Sequence, residues 1–309
     1  MKFDLHMHSA ASSDGQFTPE ELVDLVDDHD LKLIALSDHD TVQNVSATKE
    51  IAAKRKIQVI NAIEVSTTYK GEHNVHLLGY GINLEDPWIK GLLAKAKENA
   101  RVSFGLRVKK INEKYGFSFD EDTIRKQAKD MNPWFTLFDQ ILADPRTKDI
   151  PDFQDYLPGG PRSQPAPVNF YWDNMQAGSD LYCPVQYPDL FEAIDHIHKA
   201  GGIAVIAHPF RTFEHQDAWL EELAAYGLDG LEVYSNYHFP EQIDYYRNFA
   251  ANHGLLITCG SDFHGKTKPN ITLGEYHLDR DGQPYLDAFL EALQHTWQGQ
   301  HESLPDRIA

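Results

Sequence analysis

The sequence predicts an α/β fold: a barrel-like domain in two sequence pieces, interrupted by a helical insert that caps it. Three observations carry this. Strand and helix signals alternate over residues 1–85, and they alternate again from Asp189 onward. Between them lies one long Lys-rich helical pattern, then a segment dense in Pro, Gly, Asp and aromatics with little periodicity. The expected boundaries are a first barrel part at 1–85, an inserted cap or substrate domain at 86–185, and a second barrel part at 186–309.

The elements follow in order. Lys2–His8 reads as a strand, with Phe3, Leu5 and Met7 on one face and Asp4, His6 and His8 on the other. Thr18-Pro19-Glu20-Glu21 opens a helix, with Thr18 as N-cap, Pro19 at the first helical position and Glu21 closing a capping box. Leu31–Leu36 is a short apolar run suited to a strand buried on both faces of a parallel sheet. A helix over Val42–Lys54 and strands at Ile57–Val65 and Val75–Tyr80 complete the first half. Pro87–Tyr115 forms one long helix ending at Gly116, followed by a polar helix at Asp120–Lys129. The aromatic-rich stretch beyond it reads as an ordered insert of loops. The second half runs helix to Ala200, strand Ile203–Ala207, helix Asp217–Tyr226, strand Gly230–Tyr234, helix Pro240–His253, strand Leu255–Gly260 and helix Pro284–Gln298.

Composition narrows the function. With 28 Lys+Arg against 47 Asp+Glu the net charge is −19, which disfavours long nucleic acid held by its backbone and docking on anionic membrane. Two cysteines, Cys183 and Cys259, supply no disulfide framework and read as small buried residues. No apolar run reaches the roughly 18 residues of a spanning helix. Histidines stand where a signal peptide would carry its apolar stretch, so the expectation is a cytoplasmic protein. The unusual figure is 16 histidines.

Many of them fall at the carboxyl ends of the predicted strands. His6 and His8 end the first and Asp14 follows in its loop. Asp38-His39-Asp40 ends the second and Glu64 the third; His76 lies on the fourth. His208 ends Ile203–Ala207, and Asp262 with His264 follows Leu255–Gly260. Loops converge at that rim, so ligands gather there. Taken singly, each has an ordinary explanation: H-x-H as surface or core histidines, Asp40 as a helix cap, Asp262-Phe263-His264-Gly265 as a turn. Those explanations must hold independently at every strand end, whereas one polynuclear metal site accounts for all of them. Imidazole and carboxylate together suit Mn²⁺, Fe²⁺ or Zn²⁺ without thiolate.

The stretches DLHMHSAASSDG, LIALSDHDT, IEVST, NVHLLGYG, GGIAVIAHPF, LEVYS and TCGSDFHG resemble the polymerase and histidinol phosphatase (PHP) family, specifically its stand-alone bacterial phosphoesterases. The resemblance spans both barrel pieces and implies a distorted (β/α)7 TIM-like barrel with its site at the carboxyl rim. It implies two to three divalent ions. His6, His8, Glu64 and Asp262 would hold a first; Glu64, His76 and His208 a second; Asp14, His39 and His264 a third. Two ions about 3.5–4 Å apart would share a water, lower its pKa toward roughly 7 and present hydroxide to phosphorus.

Assisting candidates are Asp38 and Asp40 for the leaving group, Arg211 for a phosphate and His238 for substrate. Arg101, Arg107, Arg146 and Arg162 in the insert are candidates for a second phosphate. His73, His196, His198 and His253 read as structural. Relatives that act on nucleoside 3',5'-bisphosphates or short oligonucleotides carry a GRPH-type segment in the cap; here that region reads LADPRTKDIPDFQDYLPGGPRSQPAPVNFYWDNMQ. The expectation is a metal-dependent phosphoesterase on a small, nucleotide-like phosphorylated metabolite, with a sugar phosphate or cyclic phosphodiester as alternatives. An amidohydrolase acting on C–N bonds is the rival enzyme; Glu64, where such enzymes often carry a modified lysine, favours phosphoester chemistry. A non-catalytic metal-binding accessory module is the rival outside enzymes. The oligomeric state is not legible in the sequence.

Overall fold

The computed structural model describes residues 1–12, 14–129, 132–176 and 178–297. They form two compact units, one of the described residues within 1–93 and 187–297, the other of those within 94–186.

The first unit is built on seven strands in sequential order: β1 (Phe3–Met7), β2 (Leu33–Leu36), β3 (Gln58–Tyr69), β4 (His73–Tyr80), β5 (Ile203–Ile206), β6 (Gly230–Tyr234) and β7 (Leu256–Cys259). After β7 the chain returns to β1, where Met7 bridges Phe263 and the Asp262 N–H donates to the His6 carbonyl at 2.8 Å. The helices α1 (Pro19–Asp28) and α2 (Val45–Ala53) follow β1 and β2. Thr18 caps α1 through the expected capping box with Glu21, which satisfies amide donors at the helix start. Leu22, Val23 and Val26 of α1 pack with Leu31, Ile34, Leu36 and Val59 in one apolar cluster. A larger cluster, including Leu5, Ala62, Leu78, Val205 and Leu231, fills the rest of the unit.

The sheet is not wholly parallel. β4 runs antiparallel to both β3 and β5, with Tyr69 opposite His73 and Leu78 opposite Val205. The strands extend further than the apolar run suggested, leaving only Lys70-Gly71-Glu72 between them. A parallel crossover needs a dozen or more residues, so a hairpin is the only connection available. Lys70 and Gly71 adopt φ of 53° and 73°, the left-handed region that such a tight turn requires.

The second half of this unit contains α7 (Leu190–Lys199), a short α8 (Phe210–Phe213), α9 (Asp217–Tyr226), α10 (Pro240–His253) and α11 (Gln283–Trp297). Between α2 and α7 lie α3 (Pro87–Tyr115), α4 (Glu121–Ala128), α5 (Pro133–Ala143) and α6 (Ala166–Asn174). The second unit's aromatic-rich stretch, expected to be loops, is therefore largely helical. Its core joins Phe104, Trp134, Phe138, Phe153 and Phe170, and Phe153 stacks on Phe170 at 5.0 Å. Among the described residues no helix is long and apolar enough to cross a membrane.

Candidate metal centre

Strand periodicity sets the first pair. His6 on β1 and His8, just past its last residue, lie two residues apart, fully buried, with their Nε2 atoms 3.2 Å apart. Glu64, on β3 and also fully buried, faces imidazoles with both oxygens. Its Oε2 lies 3.3 Å from His6 Nε2, 3.2 Å from His8 Nε2 and 3.0 Å from His39 Nδ1. Its Oε1 lies 3.0 Å from His76 Nδ1 and 3.2 Å from His208 Nε2. The antiparallel course of β4 makes this possible, because it brings His76 opposite Ser66 and beside Ala207, next to His208.

Asp262 completes the opposite side. Its Oδ1 stands 3.3 Å from His6 Nε2, 3.2 Å from His8 Nε2 and 3.3 Å from His264 Nδ1. Asp14 Oδ2 approaches His264 Nε2 at 3.3 Å and His39 Nε2 at 3.7 Å. Three groups thus have donor atoms within 4.8 Å of one another: His6, His8, Glu64 and Asp262; His8, Asp14, His39 and His264; His39, Glu64 and His76. His208 joins the cluster through Glu64.

The donor set fits divalent ions by what it leaves unsatisfied. Asp14 Oδ1, His39 Nδ1, Glu64 Oε2, His76 Nδ1, Asp262 Oδ1 and His264 Nε2 are buried yet have no hydrogen-bond partner. Six such atoms converging in one place are costly without a cation to share them. Three rim residues, Asp40, His208 and Asp262, hold φ of 54°, 29° and 59°. Each such left-handed residue costs on the order of 1–3 kcal/mol, a strain that concentrates at functional sites.

Electrostatics sort the imidazoles. Burial, reinforced by neighbouring His264 and His39, pushes His8 down to about 4; burial also takes His208 to about 3. Both rings are therefore neutral, the form that binds metal. Burial also opposes the charged form of His6, but Glu232, Glu64 and Asp262 outweigh it and hold the ring well above its usual range. For Glu64 and Asp262 burial favours the neutral acid. Electrostatic interactions, with His39 foremost for Glu64 and with Lys268 foremost for Asp262, outweigh it and hold both carboxyls well below their usual range.

The supporting residues were harder to read from sequence. Glu232 is fully buried on β6; its Oε1 lies 2.8 Å from His6 Nδ1 and its Oε2 accepts the His208 N–H at 2.8 Å. Its signal was a lone carboxylate between Leu231 and Val233 in an apolar strand. Ser12 Oγ contacts His8 Nδ1 at 3.0 Å and accepts the His39 N–H at 2.9 Å. Buried Asp4 accepts the His6, Ser261 and Gly274 amides. Lys268 and Tyr237 both bond to Asp262, and nothing in their sequence neighbourhood announced it.

The assisting candidates have the following contacts. Asp38 is fully buried and its two oxygens accept the Ser9 N–H and hydroxyl, each at 2.6 Å, so it braces a loop. Asp40 does not cap α2: its Oδ1 accepts the Ser66 N–H at 2.8 Å, while α2 begins after Asn44. His238 is buried, with Nδ1 2.7 Å from the Val233 carbonyl and its ring stacked on Tyr246. Arg211 lies in α8, its guanidinium 4.8 Å from the Tyr237 ring centroid. In the second unit Arg101 pairs with Glu98, Arg146 with Asp144 and Arg162 with Asp173, and Arg107 lies over Tyr171. The histidines read as structural do pack so: His196 stacks on Trp88, His198 pairs with Asp229 and His253 stacks on Phe249.

The PHP domain family model matches residues 4–131. A 3',5'-nucleoside bisphosphate phosphatase of Chromobacterium violaceum is 32% identical over 270 residues, covering 84% of this chain and 86% of the relative. The 5'-3' exoribonuclease Rnm of Salmonella typhimurium is 28% identical over 303 residues, covering 96% and 94%. A solved structure from Bifidobacterium adolescentis, named as a metal-dependent phosphoesterase, superimposes with a TM-score of 0.68 at 26% identity, covering 99% and 98% of the two chains. Identity and coverage at these levels, with the seven-stranded α/β architecture, leave one assignment: the chain belongs to the PHP domain family and is a metal-dependent phosphoric ester hydrolase.

Proposed function

We propose that this site hydrolyses a phosphate ester of a small nucleotide-like metabolite, a nucleoside 3',5'-bisphosphate or a short oligonucleotide, with His6, His8, Asp14, His39, Glu64, His76, His208, Asp262 and His264 as ligands to two or three divalent ions. The observation that carries it is Glu64, a buried carboxylate whose two oxygens face different sets of imidazoles. One carboxylate so placed can bridge two cations. When bound, such ions neutralise phosphoryl oxygens and acidify water, which is the chemistry phosphoester cleavage needs. The nitrogen and oxygen donors suit Mn²⁺, Fe²⁺ or Zn²⁺.

The chain's own residues supply the rest. Asp14, Glu64 and Asp262 bring three negative charges, and neutral His8 and His208 add lone pairs without charge. The ligand set therefore leaves divalent ions with surplus positive charge for an anionic substrate, despite the chain's net charge of −19. Glu232 orients His6 so that Nε2 faces the cluster. The two free, buried thiols of Cys183 and Cys259 suit a reducing compartment, and we place the enzyme in the cytoplasm.

The test is phosphate release by the Mn²⁺-loaded full chain from four substrates: a nucleoside 3',5'-bisphosphate, a short oligonucleotide, a cyclic phosphodiester and a sugar phosphate. The first two are expected to be cleaved, activity is expected to vanish with chelator, and Glu64→Ala is expected to fall to background. Preference for the cyclic or sugar substrate overturns the nucleotide reading, and full activity in Glu64→Ala overturns the ligand assignment.

A further inference from the structure

The two oxygens of Asp262 have different surroundings. Oδ2 accepts the Tyr237 hydroxyl at 2.5 Å and the Lys268 ammonium at 2.6 Å. Oδ1 is buried, has no hydrogen-bond partner and faces the imidazoles of His6, His8 and His264 at 3.2–3.3 Å. A carboxylate can meet a cation with one oxygen or with both. Here two donors from separate parts of the chain occupy Oδ2: Tyr237 in the loop after β6, and Lys268 after the turn Gly265–Thr267. Hydrogen bonds this short to an ionised acceptor are the strong kind.

Both donors are themselves held. The Tyr237 ring meets His208 edge-on at 5.5 Å, stacks on Phe210 at 6.1 Å and carries the Arg211 guanidinium 4.8 Å from its centroid. The Lys268 ammonium lies 5.5 Å from the same ring, and its side chain is only 29% exposed, unusual for lysine. Asp262 accepts a left-handed backbone to point its carboxylate here.

We propose that Tyr237 and Lys268 are positioning residues that make Asp262 a one-oxygen ligand: they hold Oδ2 and present Oδ1 to a divalent ion. This rests on the metal-ligand reading above and specifies how one of its ligands is aimed. With both donors removed, the carboxylate is free to rotate, and it meets the ion with both oxygens or turns away.

The experiment strips the full chain with chelator and titrates it with Co²⁺ alone, reading affinity and the visible absorption band. Tyr237→Phe and Lys268→Met are each expected to weaken Co²⁺ binding about 10-fold, and the double variant about 100-fold, with an altered band because the coordination changes. Lys268→Arg keeps a cation on Oδ2 and is expected to restore the wild-type band and most of the affinity, which a general packing role for Lys268 does not predict. Wild-type affinity and band in Tyr237→Phe and Lys268→Met overturn the proposal and leave the metal site standing. Failure of the wild-type chain to bind Co²⁺ overturns the ligand reading and the proposal with it.

Discussion

The Glu232 carboxylate lies 2.8 Å from Nδ1 of His6, across 226 residues of sequence, and this contact decides which ring nitrogen faces Glu64 and Asp262. With Nδ1 engaged, only Nε2 is left to serve as a metal donor. Carboxylate–histidine contacts of this kind orient the ring and raise its basicity as a ligand.

Glu232→Gln keeps the shape and removes the charge. The expected outcome is a 10–100-fold loss of metal affinity, the cost of losing an outer partner of a ligating histidine. Metal content after dialysis against graded chelator measures it. Unchanged content shows that Glu232 serves only to accept the His208 amide.

Gly260 is required by space, not by backbone conformation. A Cβ there would stand 2.3 Å from His6 Cβ and 2.8 Å from Glu232 Oε1. Gly260→Ala must therefore push β1 away from the end of β7 or break the Glu232 contact. The expected result is lost activity together with a lower melting temperature; a variant with normal activity refutes the close approach.

Asp38→Ala leaves the Ser9 amide and hydroxyl without their buried acceptor. An unsatisfied buried donor costs about 1–3 kcal/mol, so unfolding in urea should show a loss of that order. Burial also pushes Asp38 up to about 6, and its folded-state value thus stands above the usual one. Ionising it therefore costs more in the folded protein than in the unfolded chain. The stabilising hydrogen bonds from Ser9 offset that cost, which makes Asp38→Asn the milder substitution.

His198 carries a pH-dependent share of stability. Its ring nitrogen lies 2.7 Å from Asp229 Oδ2, and that hydrogen bond holds the imidazole above its usual range against partial burial. A raised folded-state value means the contribution is full below the ordinary imidazole pKa and disappears as pH rises through the raised one. The side chain is 38% exposed, so solvent screening limits the effect. His198→Gln is expected to cost about 0.5 kcal/mol near pH 6 and nothing near pH 9, by urea unfolding. An equal loss at both pH values excludes the ion pair as its origin.

Much of the fold was legible because it depends on local pattern. The capping box at Thr18, the long helix Pro87–Tyr115 and the exact spans of Asp217–Tyr226, Gly230–Tyr234 and Pro240–His253 all follow from spacing and end signals near in sequence. The antiparallel β4 was missed because its apolar residues look alike in either direction. The clue lay in the length and glycine of the connection. The insert's helical character was legible, but α5 and α6 within its aromatic-rich stretch were not, because their aromatics sit in short helices and turns that build one core only together.

The sequence by itself determined the kinds of donor atom and their place at strand ends. Period two put His6 beside His8, and chain order put Asp262 and His264 after the last strand. Which donors share an ion is a matter of distance. That was decided when the strands came together, turning Glu64 toward five imidazoles and pairing Asp38 with Ser9 and His238 with the Val233 carbonyl. The partners that aim the ligands, Glu232, Tyr237 and Lys268, were decided at the same level. A second contact of that kind joins residues with no shared local pattern, and only packing brings them within hydrogen-bond reach.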